Sequence, residues 1–151
     1  METETFDFGD GPVPAHRHAN GGGWVADTAT VEPGVHVYNT AQVYGSAKVL
    51  GNAQVYDTAR VFGKARVLGN ARIYGTAQVY DSAWVSGDAR IYDAARVYDN
   101  ACVYDNARIY NAARVYGNAL ICDDACIYNT ARVYGKALIC DDACVYSDYE
   151  S

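Results

Sequence analysis

The sequence is poor in the large apolar side chains from which most globular cores are built. It contains four Leu, three Phe, two Trp and one Met among 151 residues, although half of all residues are hydrophobic. Most of the apolar content is Ala, Val, Ile and Tyr, a mixture that suits thin, closely packed layers. The chain also lacks a long helical periodicity. Together with the many β-branched residues, this composition favours a single domain built of strands.

Features that would direct the chain to a membrane or to nucleic acid are also missing. No apolar run approaches the roughly 20 residues of a membrane helix, and residues 1–8 are acidic where a signal peptide would be basic and then apolar. We therefore expect a soluble, cytoplasmic protein. A net charge of −6 makes nucleic-acid binding unfavourable, because phosphate would be repelled. The five Cys lie between residues 102 and 144 and are expected to be free thiols in that compartment.

What the sequence does contain is a six-residue repeat. Every sixth residue from Val25 to Val145 is Val or Ile, and from Ala29 onward an Ala stands two places earlier in every repeat except at Val35. Side chains two apart on a strand share a face, so both columns should point inward. The two residues after the outward Tyr are mostly Gly, Asp, Asn, Thr or Ser, which tolerate tight turns. Each hexad is thus predicted to be a short strand followed by a corner.

An 18-residue period sets the number of strands in one coil. The segment A-L-I-C-D-D-A-C at residues 119–126 recurs unchanged at 137–144. The residue after each inward Val or Ile sorts with the same period, and one such column is Tyr throughout: Tyr38, Tyr56, Tyr74, Tyr92, Tyr110, Tyr128 and Tyr146. We therefore expect three hexads per coil, a triangular cross-section and seven coils, stacked to a length of roughly 30–35 Å.

Units such as A-R-V-Y-G-N at residues 113–118 resemble those of the hexapeptide-repeat superfamily. The resemblance covers residues 23–147 and implies an all-β fold, the left-handed parallel β-helix. The chain is most similar to uncharacterised, highly regular bacterial and phage members and less similar to the enzymes. One departure is that Tyr follows the inward aliphatic residue, where family members often have Gly.

Three segments are predicted from where the repeat starts and stops: a capping segment at 1–22, the solenoid at 23–147 and a tail at 148–151. Within the cap, Phe6, Phe8 and Val13 are expected to plug the end of the core. Pro12 and Pro14 are expected to prevent the open end of the solenoid from pairing with other chains.

One outward face is unusually apolar, which is typical of an interface. We predict a homo-oligomer, dimer or trimer, with the small Ser86 beside Trp84 suiting a two-fold axis; Lys48 and Arg66 are the charged exceptions. The alternative is tolerated drift of a surface. The predicted interface residues are Leu50, Leu68, Trp84, Ser86, Cys102, Tyr104, Leu120, Cys122, Leu138 and Cys140.

The other two faces carry Tyr beside Arg, which could bind an anionic polymer, a glycan or a protein partner. The alternative is a solvated surface whose ladders merely stabilise stacking, with Asp81, Asp93 and Asp99 offsetting the Arg charges. A second Arg column comprises Arg72, Arg90 and Arg108. The face predicted to bind comprises Arg60, Arg96, Arg114, Arg132, Tyr80, Tyr98, Tyr116 and Tyr134.

The two D-D-A-C segments should stack Cys122 on Cys140 and Cys126 on Cys144. Cys122 and Cys126 lie on either side of a corner and point apart, so a four-Cys zinc site is difficult to build. Direct stacking is also expected to leave little room for an unstrained disulfide. The adjacent carboxylates, Asp123, Asp124, Asp141 and Asp142, could hold Ca²⁺ or could simply be solvated. We predict no metal and no cofactor.

Catalysis has little support in the sequence. The resemblance implies a catalytic His and a coenzyme A groove in the acetyltransferases, and three zinc-binding His in the related carbonic anhydrases. This chain has only His16, His18 and His36, and no loop interrupts the coils after Val37. We predict no catalytic residue and a non-enzymatic, self-associating scaffold. The alternatives are a binding module on an Arg/Tyr face and a minimal acyltransferase that depends on His36.

Overall fold

The computed structural model describes residues 4–38 and 40–150. Every regular element in these two ranges is a strand. None of the described residues belongs to a helix that could cross a membrane. The chain winds through three sheets in turn, so that strands of one sheet are separated by strands of the other two.

Sheet I has ten strands, namely β1 (Thr5–Asp7), β2 (Pro12–Arg17), β3 (Trp24–Ala26), β6 (Gln42–Val43), β9 (Arg60–Val61), β12 (Gln78–Val79), β15 (Arg96–Val97), β18 (Arg114–Val115), β21 (Arg132–Tyr134) and β24 (Tyr149–Glu150). Sheet II has seven, namely β4 (Thr30–Val31), β7 (Lys48–Val49), β10 (Arg66–Val67), β13 (Trp84–Val85), β16 (Cys102–Val103), β19 (Leu120–Ile121) and β22 (Leu138–Ile139). Sheet III also has seven, namely β5 (His36–Val37), β8 (Gln54–Val55), β11 (Arg72–Ile73), β14 (Arg90–Ile91), β17 (Arg108–Ile109), β20 (Cys126–Ile127) and β23 (Cys144–Val145).

Neighbouring coil strands are parallel and pair residues 18 positions apart, as Val79 does with Val97. The all-β parallel solenoid with seven coils and a triangular cross-section is therefore confirmed. Its left-handed sense stays a prediction from the resemblance.

The core is the pair of inward columns. Ala and Val or Ile from Ala41 to Ala137 have no solvent exposure. Each inward Val or Ile contributes about 1.5–3 kcal/mol by burial. The opposing Ala keeps the prism narrow enough to be filled without large side chains, which explains the scarcity of Leu and Phe.

From Val43 to Ile139, the corners depend on a left-handed backbone two residues after each inward Val or Ile. Asp or Asn at this position has φ between 54° and 61°, a conformation that these residues tolerate better than most others. Their side chains also join the coils. Asp57 accepts the Gly75 N–H at 3.0 Å and Asp93 accepts the Asn111 N–H at 3.1 Å. The corner residues therefore bond one coil to the next.

The N-terminal segment folds as a hairpin against sheet I. Strand β1 pairs with β2, and β2 pairs with β3, in both cases antiparallel. Phe6 stacks on Trp24 and Phe8 on Tyr44, each with ring centroids 4.7–4.8 Å apart. These rings continue the aromatic column of the sheet and do not plug the end of the core. Val13 is 39% exposed.

The two prolines of this hairpin do not prevent pairing. Pro12 lies opposite Asp7, and Pro14 lies opposite Thr5. This pairing within the chain is possible because a proline lacks only the N–H donor, and its carbonyl can still accept; the blocking of pairing with other chains stays a prediction. Pro14 accepts the Asp27 N–H at 2.9 Å.

Candidate functional site

Sheet II carries the apolar face that the sequence predicts. Trp84, Cys102, Leu120 and Leu138 follow one another in register on adjacent strands. Trp84 is 40%, Leu120 37% and Leu138 62% exposed. The Arg66 guanidinium lies 5.2 Å from the centre of the Trp84 ring, a cation–π contact that holds the ring in place. Four coils of this face thus present a continuous column without a charged side chain.

The second column of the face is less accessible. Leu50, Leu68, Ser86 and Tyr104 are half-buried in the described structure. Cys122 is only 7% exposed. The apolar surface is therefore dominated by the first column.

Two of the predicted interface cysteines are not free thiols. Cys122 and Cys140 form a disulfide, with Cα atoms 4.7 Å apart. The expectation of free thiols throughout is wrong, because the spacing between stacked coils falls within the Cα range of disulfides. Cys102, Cys126 and Cys144 remain free. The cytoplasmic location stays a prediction.

Charge on sheet II and its following corner changes sign along the solenoid axis. The N-terminal coils carry Lys48 and Arg66, whereas the corner beside the C-terminal coils carries Asp105, Asp123 and Asp141. Glycines occupy that corner position in the coils of Lys48 and Arg66. Glu32 at the N-terminal end of this face and Lys136 at the corner before Leu138 oppose the trend, so the two ends differ in the balance of charge.

Sheet I places the predicted Arg/Tyr residues together. Its Tyr rings stack face to face, with centroids 4.9–5.2 Å apart from Phe62 to Tyr134. Burial raises the pKa of the Tyr44 and Tyr80 hydroxyls, and hydrogen bonds from Arg60 and Arg96 act in the opposite direction. Two arginines of this face are thus already engaged with their own ladder.

Sheet III, by contrast, borders a groove. Two adjoining cavities of about 500 and 410 Å³ share Asp88, Arg90 and Asn106. They lie between the Arg column of sheet III and the corner that leads into that sheet from sheet II. Together the cavities are lined by Asn52, Gln54, Asn70, Arg72, Asp88, Arg90, Asn106, Arg108, Asp124 and Cys126.

The sequence reasoning missed this groove, although its signal is periodic. The corner position two residues before the sheet III Arg column is Asn or Asp in every coil from Asn52 to Asp142, at intervals of 18. The Asn and Asp side chains at this corner are longer than the Thr and Ala side chains at the corner before sheet I. They form one wall of the groove.

The residues able to hold a metal are limited. Among the described residues, one group of three possible ligands occurs, formed by Cys122, Asp123 and Cys140. Its two sulfurs are joined in the disulfide, and the Asp123 carboxylate accepts the Asp141 N–H at 3.1 Å. This donor set fits a metal poorly while the disulfide is formed.

The three His serve different contacts. His16 Nδ1 lies 2.7 Å from the Asp27 carboxylate. His18 is buried, with Nε2 2.7 Å from the Val35 carbonyl oxygen, to which it donates as the Nε2–H tautomer. His36 stacks on Tyr38 with centroids 5.7 Å apart. No group of three His is close enough in the described ranges to share one ion.

Comparison with known proteins finds one similarity. A family model described as the YdcK beta solenoid repeat matches residues 95–111 and 101–117. These overlapping stretches lie within the solenoid, and the chain is similar to that repeat there. No curated protein and no solved structure matches the chain. The relationship to the hexapeptide-repeat superfamily stays a prediction.

Proposed function

We propose that this β-solenoid is a self-associating scaffold in which the sheet II face packs against the same face of a second copy. The observation that supports this is the in-register column of Trp84, Cys102, Leu120 and Leu138, three of them more than a third exposed. An apolar column of this kind gains free energy when a matching column covers it.

The distribution of charge argues for an antiparallel dimer. If the two solenoids run in opposite directions about the middle coil, that of Trp84, then Lys48 and Arg66 of one copy lie at the level of Asp123 and Asp105 of the other. A parallel dimer or a three-fold trimer would place like charges at the same level, at a cost that low salt would increase. A two-fold dimer also uses one surface twice, so it closes and does not extend into fibres.

Because the half-buried Ser86 is small, it leaves a depression in the face beside Trp84. A Trp from the partner can occupy such a depression, and large aromatic anchors in small pockets commonly dominate binding energy. The resulting scaffold would leave sheets I and III of both copies open to other partners.

The mass in solution tests the proposal. Wild-type protein measured by sedimentation equilibrium at micromolar concentration is expected to be a dimer. Leu120→Lys should weaken it by about 100-fold or more, because the change enters a two-fold interface twice. Gln78→Lys adds the same charge at the equivalent position of sheet I and should leave the mass unchanged.

A charge reversal tests the orientation. Lys48→Glu with Arg66→Glu should weaken an antiparallel dimer at low salt, and high salt should reduce the difference from wild type. A wild-type monomer, or a dimer equally weakened by Gln78→Lys, would contradict the proposal. A trimer would contradict the antiparallel arrangement.

A further inference from the structure

The groove beside sheet III contains three arginines that form no ion pair with a described residue. Arg72 lies opposite Arg90, and Arg90 lies opposite Arg108, on successive parallel strands. Within residues 4–38 and 40–150 the sole ion pair is that of His16 with Asp27. None of the three guanidinium groups hydrogen-bonds a described residue. Stacked strands lie about 4.8 Å apart, so these three exposed cations form a row of positive charge that attracts an anion.

The same groove offers acceptors as well as cations. Asp88 and Asp124 supply carboxylates, and Asn52, Asn70 and Asn106 supply amides. A ligand that pairs with all of these groups must therefore present anionic groups to the arginines and hydroxyl donors to the carboxylates. Arg and carboxylate form paired, charge-assisted hydrogen bonds, and the exposed Asp88 and Asp124 carboxylates can accept hydrogen bonds from the hydroxyls of a ligand.

The adjacent Tyr column argues against a ligand that stacks its bases. The rings of Tyr56, Tyr74, Tyr92 and Tyr110 lie 4.8–5.0 Å apart with planes within 4° of parallel. Each inner ring therefore has both faces covered by its neighbours and presents only its edge. Single-stranded nucleic acids bind through aromatic faces, which the inner rings of this column do not offer.

A polymer fits the groove better than a small molecule because the pattern repeats. Asn or Asp and then Gln or Arg recur once per coil from Asn52 to Arg108. Four coils give a track of roughly 15–20 Å along the axis. A linear chain that presents a carboxylate and hydroxyls at intervals can bind several coils at once. Once the first contact has formed, the further contacts form at a high effective concentration.

We propose that this groove binds an extended acidic glycan, of the uronate type, that runs parallel to the solenoid axis. Its carboxylates accept hydrogen bonds from Arg72, Arg90 and Arg108, and its hydroxyls donate to Asp88 and to the Asn side chains. The site lies on a different sheet from the proposed dimer face, so either proposal can fail without the other.

Titration calorimetry with size-fractionated polygalacturonate tests the site, with methyl-esterified polygalacturonate as the uncharged probe. Saturable binding of the acid form, weakened by salt, is expected, and the ester should bind at least about tenfold more weakly. Arg90→Gln should weaken binding about tenfold. Gln already occupies this column at Gln54, which argues that the variant will fold. Arg96→Gln makes the same change on sheet I, where Gln78 is the precedent, and should have no effect.

Asp88→Asn separates a glycan from a general polyanion. If sugar hydroxyls donate to Asp88, its replacement weakens polygalacturonate binding, whereas a polyanion held by charge alone would bind more tightly once that carboxylate is gone. Failure to bind saturably, equal binding of the ester, or equal losses in Arg90→Gln and Arg96→Gln would each overturn the proposal. Tighter binding of oligothymidylate than of polygalacturonate would assign the groove to nucleic acid instead.

Discussion

Cys122 and Cys140 join two successive coils through a disulfide, although each is the equivalent of the other in its own coil. The bond closes a loop of 18 residues. A loop of that size stabilises a protein by about 3 kcal/mol when the crosslink restricts the unfolded chain. The disulfide therefore stabilises the C-terminal coils, which carry the exposed Leu138.

Cys140→Ser is expected to lower the free energy of unfolding by about 2–4 kcal/mol. Denaturation by guanidinium, with and without reducing agent, measures the change. Reduction should destabilise the wild type and leave Cys140→Ser unchanged. Cys144→Ser is the matched control because Cys144 is free. Equal stability of oxidised and reduced wild type would show that the disulfide contributes nothing.

The corner residue Asp93 combines two roles that substitution can separate. Its φ is 57°, and its carboxylate accepts the backbone N–H and the side-chain amide of Asn111, both at 3.1 Å. Asp93→Ala removes the hydrogen bonds and strains the backbone, so a loss of about 1–3 kcal/mol is expected.

Two further variants at this position separate the effect of the lost hydrogen bonds on stability from the effect of the backbone strain. Their stabilities are compared with that of Asp93→Ala in thermal and denaturant melts. Asp93→Gly keeps the backbone freedom and loses only the hydrogen bonds. Asp93→Asn should be nearly neutral, since Asn111 accepts the Asn129 N–H at 3.1 Å from the equivalent position. If Ala and Gly destabilise equally, the backbone strain of Ala at this corner is no larger than the entropy that Gly adds to the unfolded chain.

The regular part of the fold could be predicted from the sequence because one repeated constraint determines it. An inward Val or Ile every six residues fixes the strand register, since a slip of one residue would expose Val97 and bury Arg96. The 18-residue period then fixes the coil. Neither step depends on side-chain detail, and the structure agrees with both from Ala41 to Ala137.

The features that escaped prediction depend on distances between columns and not on their order. The groove beside sheet III arises from the reach of the Asn/Asp and Arg side chains on adjacent columns. The disulfide required the actual Cα separation, 4.7 Å. The hairpin lies outside the repeat, so no periodicity constrained where Phe6 and Phe8 would pack.

Val97→Asp tests the inward register directly. Val97 has no solvent exposure, and Asp would place a charge in a core without a polar partner. A loss of about 4 kcal/mol or more is expected, enough to unfold or truncate the solenoid. Circular dichroism melts and limited proteolysis measure it. Arg96→Asp, one residue away on the outward side, should cost about 1 kcal/mol or less. A Val97→Asp protein that melts cooperatively near the wild-type temperature would disprove the register.

The stacked tyrosines should make the solenoid sensitive to alkali. Burial raises the hydroxyl pKa of Tyr56, Tyr92 and Tyr98 above the ordinary value near 10. Below about pH 10 both folded and unfolded chains keep these protons, so the full stability is present. As the pH rises further the unfolded chain ionises first, and stability is lost as the pH passes through the folded pKa values.

Guanidinium midpoints at about pH 8 and about pH 11, followed together with phenolate absorbance, measure this loss. Tyr92→Phe should reduce the alkaline loss, and Phe62 shows that a ladder position accepts Phe while stacking on Tyr80 at 4.9 Å. Tyr146→Phe is the control, because Tyr146 is 61% exposed at the end of the ladder. An unchanged midpoint between the two pH values would show that the ladder hydroxyls ionise freely in the folded protein, and that burial in the stack does not hold their protons.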